Sequence, residues 1–272
     1  LFPHISRNEL METIAENLQW YSASGTNKVD ATVTLLEKLE SQGILELPEK
    51  KIRGKYLSKK IQYTERTDPQ DIITCKLKDI SPVTLEIATD KDIAPLWKEY
   101  VSRYHYLGYH QPFGCTMRYF IQSKLGRLGC ILFAGASKSI GSREYWIGWT
   151  KNQRLNNLAW VINNSRFLIF PWVQVDNLAS YVLGQVNRQI SGHWQERWGY
   201  SPVLMETFVD PDRYQGTCYK ASNWEYLGMT TGKGLARKGK EYTSSPKMIF
   251  MKPLVKNYSK LLCSEKLVGR MI

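Results

Sequence analysis

The sequence predicts an α+β or α/β protein: a mixed β-sheet flanked by helices and preceded by a small helical module. Three observations predict it. The chain has 272 residues, 43% hydrophobic and 23% charged, ordinary globular values that supply one large core and a small appendage. A strand, a long amphipathic helix and a second strand succeed one another between Arg166 and Asp210, the pattern of a parallel crossover. Charge is divided along the chain, with an acidic beginning and basic runs later.

The first module, residues 1–49, opens on Ser6, with Glu9 three positions on, a capping box ahead of the helical pattern Leu10, Met11, Ile14 and Leu18. Val29, Val33, Leu36 and Leu39 repeat at helical spacing until Gly43, and Ile44–Pro48 reads as a short strand and stop. Helix, turn, helix and strand give a winged-helix-like outline. Up to Pro48 the only basic residues are Arg7, Lys28 and Lys38, against seven acidic ones. Because phosphate contacts need Lys or Arg, a protein-docking role stands beside a DNA-binding one for this module.

Residues 50–78 read as a basic linker punctuated by Pro69. The main domain, 79–256, begins with the strand Val83–Ile87 and a helix carrying Ile93, Leu96, Trp97, Tyr100 and Val101. His105–Tyr109 is an aromatic turn; Met117–Ile121 and Gly129–Ala136 are paired strands, and Tyr145–Trp149 is an apolar strip. Arg166–Phe170 is a buried strand; Asn177 opens a helix through Leu183, Val186, Ile190 and Trp194, and Pro202–Asp210 is the next strand. A helix over 217–223, a turn at Glu225–Gly228 and the strand Met248–Met251 complete the sheet, and 257–272 reads as a basic tail.

Composition also limits function. Thirty-seven Lys and Arg against twenty-five Asp and Glu leave a net charge of +12, which points to a polyanionic partner, DNA foremost, single- or double-stranded. The candidate contacts are Lys50, Lys51, Arg53, Lys55, Lys59 and Lys60, then Lys233, Arg237, Lys238 and Lys240, with Arg166 on the central strand. Tyr242, Phe250 and Tyr258 interleave with the second run and offer stacking surfaces, or core. No apolar stretch approaches the roughly 18–20 residues of a membrane span, and five widely spaced cysteines without a C-x-x-C pair suit a reduced, cytoplasmic interior. The spacing of His105 and His110 does not make a zinc site, and no metal is expected.

The order of elements resembles the GNAT acyltransferase architecture. By that resemblance Gln174, Val175, Asn177, Leu178, Ala179 and Ser180 form the loop and helix start that would hold the phosphates of a cofactor such as acetyl-CoA, and Tyr219, in Tyr219–Gly228, is the proton donor to the leaving group. The loop departs from the family pattern in having no glycine, which leaves the cofactor open. A set of motifs is similar to the DruA family of Druantia anti-phage proteins and its transposon-associated relatives: His105–Tyr109, Trp146–Trp149, Asn164 to Ile169, Asn177–Ser180, Glu206–Asp210 and Gly216 to Trp224, with Ser6–Leu10 and Gly43–Pro48 at the beginning. Some of them also resemble, more distantly, the phage Mu Mom protein, a DNA-adenine-modifying enzyme. The resemblance implies a DNA-associated defence or mobile-element protein, with other subunits of a defence complex as further partners. It leaves two readings of the sheet domain: group transfer to a nucleobase, with Glu206 or His105 as base and Tyr219 and Asp210 beside them, or a non-catalytic nucleic-acid-binding module. A magnesium nuclease built on Glu206, Asp210 and Asp176 is a weaker alternative. Structural roles compete at each position: an arginine partner for Glu206, aromatic packing for His105, core for Tyr219, a helix cap for Asn177.

Overall fold

The computed structural model describes residues 7–48, 60–232 and 245–269. The chain divides into a smaller unit, residues 1–60 with 198–200 and 268–272, and a larger one, 61–197 with 201–267.

In the smaller unit, α1 (Arg7–Asn17) buries Met11 and Ala15, and α2 (Val29–Ser41) buries Thr32 and Leu36. Arg7 ties the two helices through Glu37 at 3.3 Å. Tyr21 and Asn27 form one antiparallel bridge between them. The strand expected at Ile44–Pro48 is not formed. That segment is held instead by side chains, with the Leu47 N–H donating to Glu40 Oε1 (2.8 Å) and Arg7 donating to the Pro48 carbonyl (2.9 Å), while Ile44 stays exposed. The helix pair of the winged-helix outline is therefore present and its strand is not; the Ser6 cap lies outside the described residues.

The larger unit begins at Ile61, inside the expected linker. A single turn at Glu65–Thr67, β1 (Ile73–Thr74) and α3 (Leu77–Ile80) lead to β2 (Thr84–Ile87) and α4 (Ala94–Tyr104). The segment is ordered because α4 supplies its partners. Glu99 accepts from the Thr64 N–H and from the Thr67 hydroxyl, the Tyr104 hydroxyl donates to the Thr67 carbonyl, and Arg103 pairs with Asp68 at 2.7 Å. These polar contacts carry no hydrophobic period, so nothing in the pattern distinguished them from linker.

Next come β3 (Met117–Ser123), β4 (Gly126–Gly135), α5 (Gly141–Ile147), α6 (Lys151–Asn157), β5 (Val161–Ile169), β6 (Val173–Gln174), α7 (Leu178–Trp198), β7 (Leu204–Val209), α8 (Thr217–Ala221), β8 (Glu225–Met229), β9 (Met248–Pro253) and α9 (Tyr258–Leu262). Among the described residues the sheet order is β2-β3-β4-β5-β7-β9-β8, antiparallel throughout except between β5 and β7; β1 and β6 make a separate parallel pair. This is the GNAT-like mixed sheet. Gly129 on β4 has no alternative, since a Cβ there would stand 2.2 Å from the Leu168 carbonyl of β5. On α7, Leu178, Val182, Leu183, Val186, Ile190 and Trp194 are buried. Each large apolar side chain so placed contributes roughly 1.5–3 kcal/mol.

Two expected elements change character. Tyr145–Trp149, read as an apolar strip, is the end of a helix and its cap, because Gly148 (φ +82°) closes α5 in the left-handed conformation. The tail from 257 is docked as far as Leu267. The Asn157 amide donates to the Leu262 and Ser264 carbonyls (3.0 and 2.8 Å) and accepts from the Leu267 N–H (2.8 Å).

A buried ion pair fixes α5 to the sheet. Arg143 and Glu206 are both fully buried and meet at 2.6 Å. Arg143 also pairs with Glu144 (2.9 Å), and Glu206 accepts from the Ser137 N–H (2.7 Å). Removing one partner of such a pair strands the other charge. Arg143→Met is expected to cost roughly 3–5 kcal/mol, and adding Glu206→Met to restore most of it, read from urea midpoints. A loss under about 1 kcal/mol for Arg143→Met would mean that the pair does not hold α5 in place.

Candidate functional site

β5 and β7 stay paired for only three residues, from Val161–Leu204 to Asn163–Glu206. One cause lies on the other edge of β5. Its register against β4 passes from Leu132–Arg166 to Phe133–Asn164, so Ser165 is an extra residue in a bulge. Asn164 occupies the fork. Its buried amide donates to the Leu132 and Arg166 carbonyls (3.1 and 3.0 Å), its own carbonyl accepts from Thr207 Oγ1 (2.9 Å), and its Oδ1 accepts from the Tyr219 hydroxyl (2.7 Å).

Beyond the fork the strands frame a cleft of about 380 Å³, within the range of small-ligand sites. Phe167, Leu168, Ile169, Phe208 and Val209 give it apolar walls; Ala179 of α7 and Gly216–Tyr219 contribute one end, and Tyr104–Leu107 and Tyr214 the other. Gly216 (φ +68°) is required there, because a Cβ would stand 2.5 Å from the Phe250 ring. The rim is aromatic and cationic. His105 stacks on Tyr106 (4.9 Å), Arg213 sits 4.9 Å over the Tyr106 ring, and Tyr214, 55% exposed, lies 5.9 Å from Tyr106.

The expected catalytic residues are only partly brought together. His105, Asp210 and Tyr219 line the cleft. Glu206 does not: it faces Arg143 in the core, where burial pushes its carboxyl up and Arg143 and the Ser137 N–H pull against that. Asp210 is bound at both oxygens, by Lys247 (2.7 Å) and the Asp212 N–H (3.2 Å); the Lys247 hydrogen bond holds its carboxyl below the usual range. Tyr219 is buried and stacked on Phe250 (5.6 Å), and burial holds its hydroxyl protonated well above the ordinary tyrosine range. His105 is pulled down to about 4 by burial and by Arg166. Its Nδ1 accepts from the Leu107 N–H at 3.2 Å, which leaves the proton of the neutral ring on Nε2.

The expected cofactor loop is divided. Ala179 reaches the cleft, whereas Gln174 and Val175 line a shallow basin with Thr74, Lys76, Lys78 and Asp176. Leu178 is core, Asn177 takes a left-handed φ of +62°, and Ser180 Oγ bonds back to the Asn177 carbonyl. These residues do not fit the diphosphate of coenzyme A. Asp176 puts a carboxylate in the loop, pairing with β1 engages the Val173–Gln174 backbone, and the Val173 and Leu178 N–H groups bond within the segment.

Of the expected nucleic-acid contacts, Lys60 is exposed and Arg166 is half-buried, its Nε and Nη1 donating to the Gly108 and Ser165 carbonyls (2.9 and 2.7 Å). Lys50, Lys51, Arg53, Lys55, Lys59, Lys233, Arg237, Lys238 and Lys240 lie outside the described residues, as does Tyr242. Phe250 is core and Tyr258 stacks on Trp146, so neither is a free stacking surface. Among the described residues no three His, Cys, Asp or Glu gather as a metal site, and no helix is long and apolar enough to cross a membrane. The sequence motifs did not point to Tyr106, Asn164, Arg213 and Tyr214 as site residues. The available signal was position: Arg213 and Tyr214 come just after the C-terminal end of β7, where open α/β sheets place their ligands.

Solved structures similar to this chain include aminoglycoside acetyltransferase AAC(6')-Ib in complex with coenzyme A, at 13% identity over 65% of this chain and 97% of that one (TM-score 0.39). A variant of the spermidine N-acetyltransferase SpeG from Vibrio cholerae is 12% identical over 65% and 96% (TM-score 0.39). Among curated proteins no match is found. The family described as Druantia protein DruA matches residues 38–243, well over half of the sequence, and the chain belongs to the DruA family.

Proposed function

We propose that this chain is the nucleic-acid-associated member of an anti-phage defence system, and that its sheet domain binds an unpaired nucleotide of DNA in the cleft between β5 and β7. The observation that carries this is the make-up of the cleft: apolar walls around about 380 Å³, under a rim of Tyr106, Tyr214 and Arg213. Aromatic side chains accept any base face, and an arginine over a ring adds a cation beside the phosphates. A net charge of +12 supplies the long-range attraction that brings a polyanion to the surface.

Between binding and chemistry, the bonding of the acidic and basic groups favours binding. A general base needs reach to the substrate and a pKa near the working pH. Glu206 is paired with Arg143 away from the cleft, Lys247 holds the Asp210 carboxyl below its usual range, and Tyr219 donates to Asn164. His105, pulled down to about 4 by burial and Arg166, already takes the Leu107 N–H at its acceptor nitrogen. The residues that would hold an acyl donor do not fit its diphosphate. What these groups can do is recognise: the neutral His105 ring offers an N–H to a ligand oxygen.

Two predictions test the reading. Tyr214 is exposed enough for Tyr214→Ala to leave the fold intact. The substitution is expected to weaken binding of a short single-stranded DNA by about 1–3 kcal/mol, the worth of one stacked base, without changing the slope of affinity against salt. Fluorescence anisotropy across a salt series measures both, and unchanged affinity would remove the cleft from nucleic-acid binding. His105 gives the second. Its folded value of about 4 lies below the ordinary 6.5, so the unfolded chain takes up the proton first. The stability that goes with the neutral ring is complete above about pH 6.5 and is lost as pH falls toward 4. Between pH 7 and pH 5 the wild type should therefore lose more stability to urea than His105→Gln; parallel losses would show that the ring is not held neutral.

A further inference from the structure

Outside the cleft, one group stands without the electrostatic partner its burial demands. Arg118 on β3 is only 8% exposed; among the described residues its buried Nε has no hydrogen-bond partner and no carboxylate pairs with it. Its neighbour is the Trp97 ring, 5.9 Å from the guanidinium carbon and pinned to the same strand by Trp97 Nε1–H donating to the Tyr119 carbonyl (2.9 Å). A buried cation supported by one aromatic face is expensive unless an anion completes it.

The register shows where that anion would stand. Arg118 is paired with Leu132 and Leu132 with Arg166, so the two arginines project from the same face of three adjacent strands. At the usual strand spacing their backbones are roughly 10 Å apart, with the shorter, buried Leu132 side chain between them on that face. Arg166 also lacks a carboxylate partner among the described residues; burial lowers its pKa, and its hydrogen bonds go to the Gly108 and Ser165 carbonyls. One turn links the surroundings of the two side chains. Gly108 holds Arg166, and the next residue, Tyr109, packs edge-on to Trp97 (6.2 Å), the ring that Arg118 faces. Lys98 adds a third cation, its Nζ 5.8 Å from the centre of the Tyr109 ring.

We infer that Arg118 and Arg166, beside the His105–Tyr109 turn, form a binding site for a phosphate-class oxyanion, separate from the nucleotide cleft. A guanidinium fork suits this ligand because it presents parallel N–H donors to two oxygens; Arg118 supplies the fork, and Arg166, held by two carbonyls, adds its charge and remaining donors. The site does not depend on the cleft reading. A backbone phosphate of a bound nucleic acid and a free phosphate compound carry the same chemistry.

The test uses the full chain and inorganic phosphate, titrated against chloride at constant ionic strength while thermal unfolding is followed. Phosphate should raise the melting temperature of the wild type saturably, and chloride should not. Arg118→Met should be as stable as the wild type or more so without phosphate, having lost an uncompensated charge, and should lose the phosphate response. Arg118→Lys keeps a cation but not the fork and should bind phosphate about tenfold more weakly, so the test stands if the methionine variant folds poorly. A wild type indifferent to phosphate, or an Arg118→Lys variant that responds equally, overturns the site. Competition with a short single-stranded DNA then separates the sources. Loss of DNA affinity in Arg118→Lys assigns the site to the nucleic-acid backbone, and unchanged DNA affinity with weakened phosphate binding assigns it to a free phosphate compound. Tyr214→Ala, which probes only the cleft, should leave the phosphate response intact.

Discussion

The structure of the larger unit turns on Asn164. Parallel strands joined by a helical crossover normally pair along their length, and β5 and β7 stop after three residues. Beyond the last pair, a side-chain amide replaces the hydrogen bonds of the strand ladder. Asn164 meets the carbonyls of Leu132 and Arg166 across the bulge, and its own two acceptors are taken by Thr207 and Tyr219. Each bond is worth only about 1 kcal/mol net. Their joint effect is geometric: the Asn164 side chain and carbonyl are fully bonded where the strands part, while the flanking Asn163 Oδ1 and Ser165 Oγ are buried without a partner among the described residues.

The distribution of charge depends on the same opening. On the core side of β7, Glu206 is neutralised by Arg143 and anchors α5; at the end of the same strand Asp210 is neutralised by Lys247. The acids of the site are thus compensated. The described arginines of β3 and β5 are not, since Arg118 has an aromatic ring and Arg166 has backbone carbonyls. Positive field therefore gathers on one side of the sheet. There burial, with the Arg166 charge beside it, keeps His105 neutral.

How much of this was legible in the sequence depends on which residues encode it. The β5–α7–β7 unit was readable because Leu183, Val186, Ile190 and Trp194 repeat at helical spacing and both flanking strands are apolar runs. The 61–80 segment was not, because Glu99, Arg103 and Tyr104 hold it by hydrogen bonds and an ion pair that obey no period. Ile44–Pro48 looked like a strand and is none, since a strand needs a neighbour and the Glu40 and Arg7 side chains took the backbone first. At the site, His105, Asp210 and Tyr219, which motifs carry, line the cleft. Glu206 does not, and an arginine partner was expected as its alternative role, but that partner, Arg143, lies 63 residues away and joins it only across the tertiary fold.

The same contrast bears on the cleft, because the loop and the acids expected there are engaged by the protein itself. Its loop carries Asp176 in place of glycines and pairs with β1, so the backbone that would cradle a cofactor completes a small sheet instead. Its acids are occupied by Arg143 and Lys247, and its tyrosine by Asn164. The splayed strands retain the opening itself, walled by Phe167, Leu168 and Phe208 and bordered by rings and an arginine at the end where α/β sheets receive ligands. The fold thus supplies a rigid slot whose wall polar groups Asn164, Thr207 and Tyr219 are already bonded to one another. A ligand that enters such a slot is held by its flat apolar faces and its charge rather than by displaced protein hydrogen bonds, and a nucleotide carries both features in one molecule.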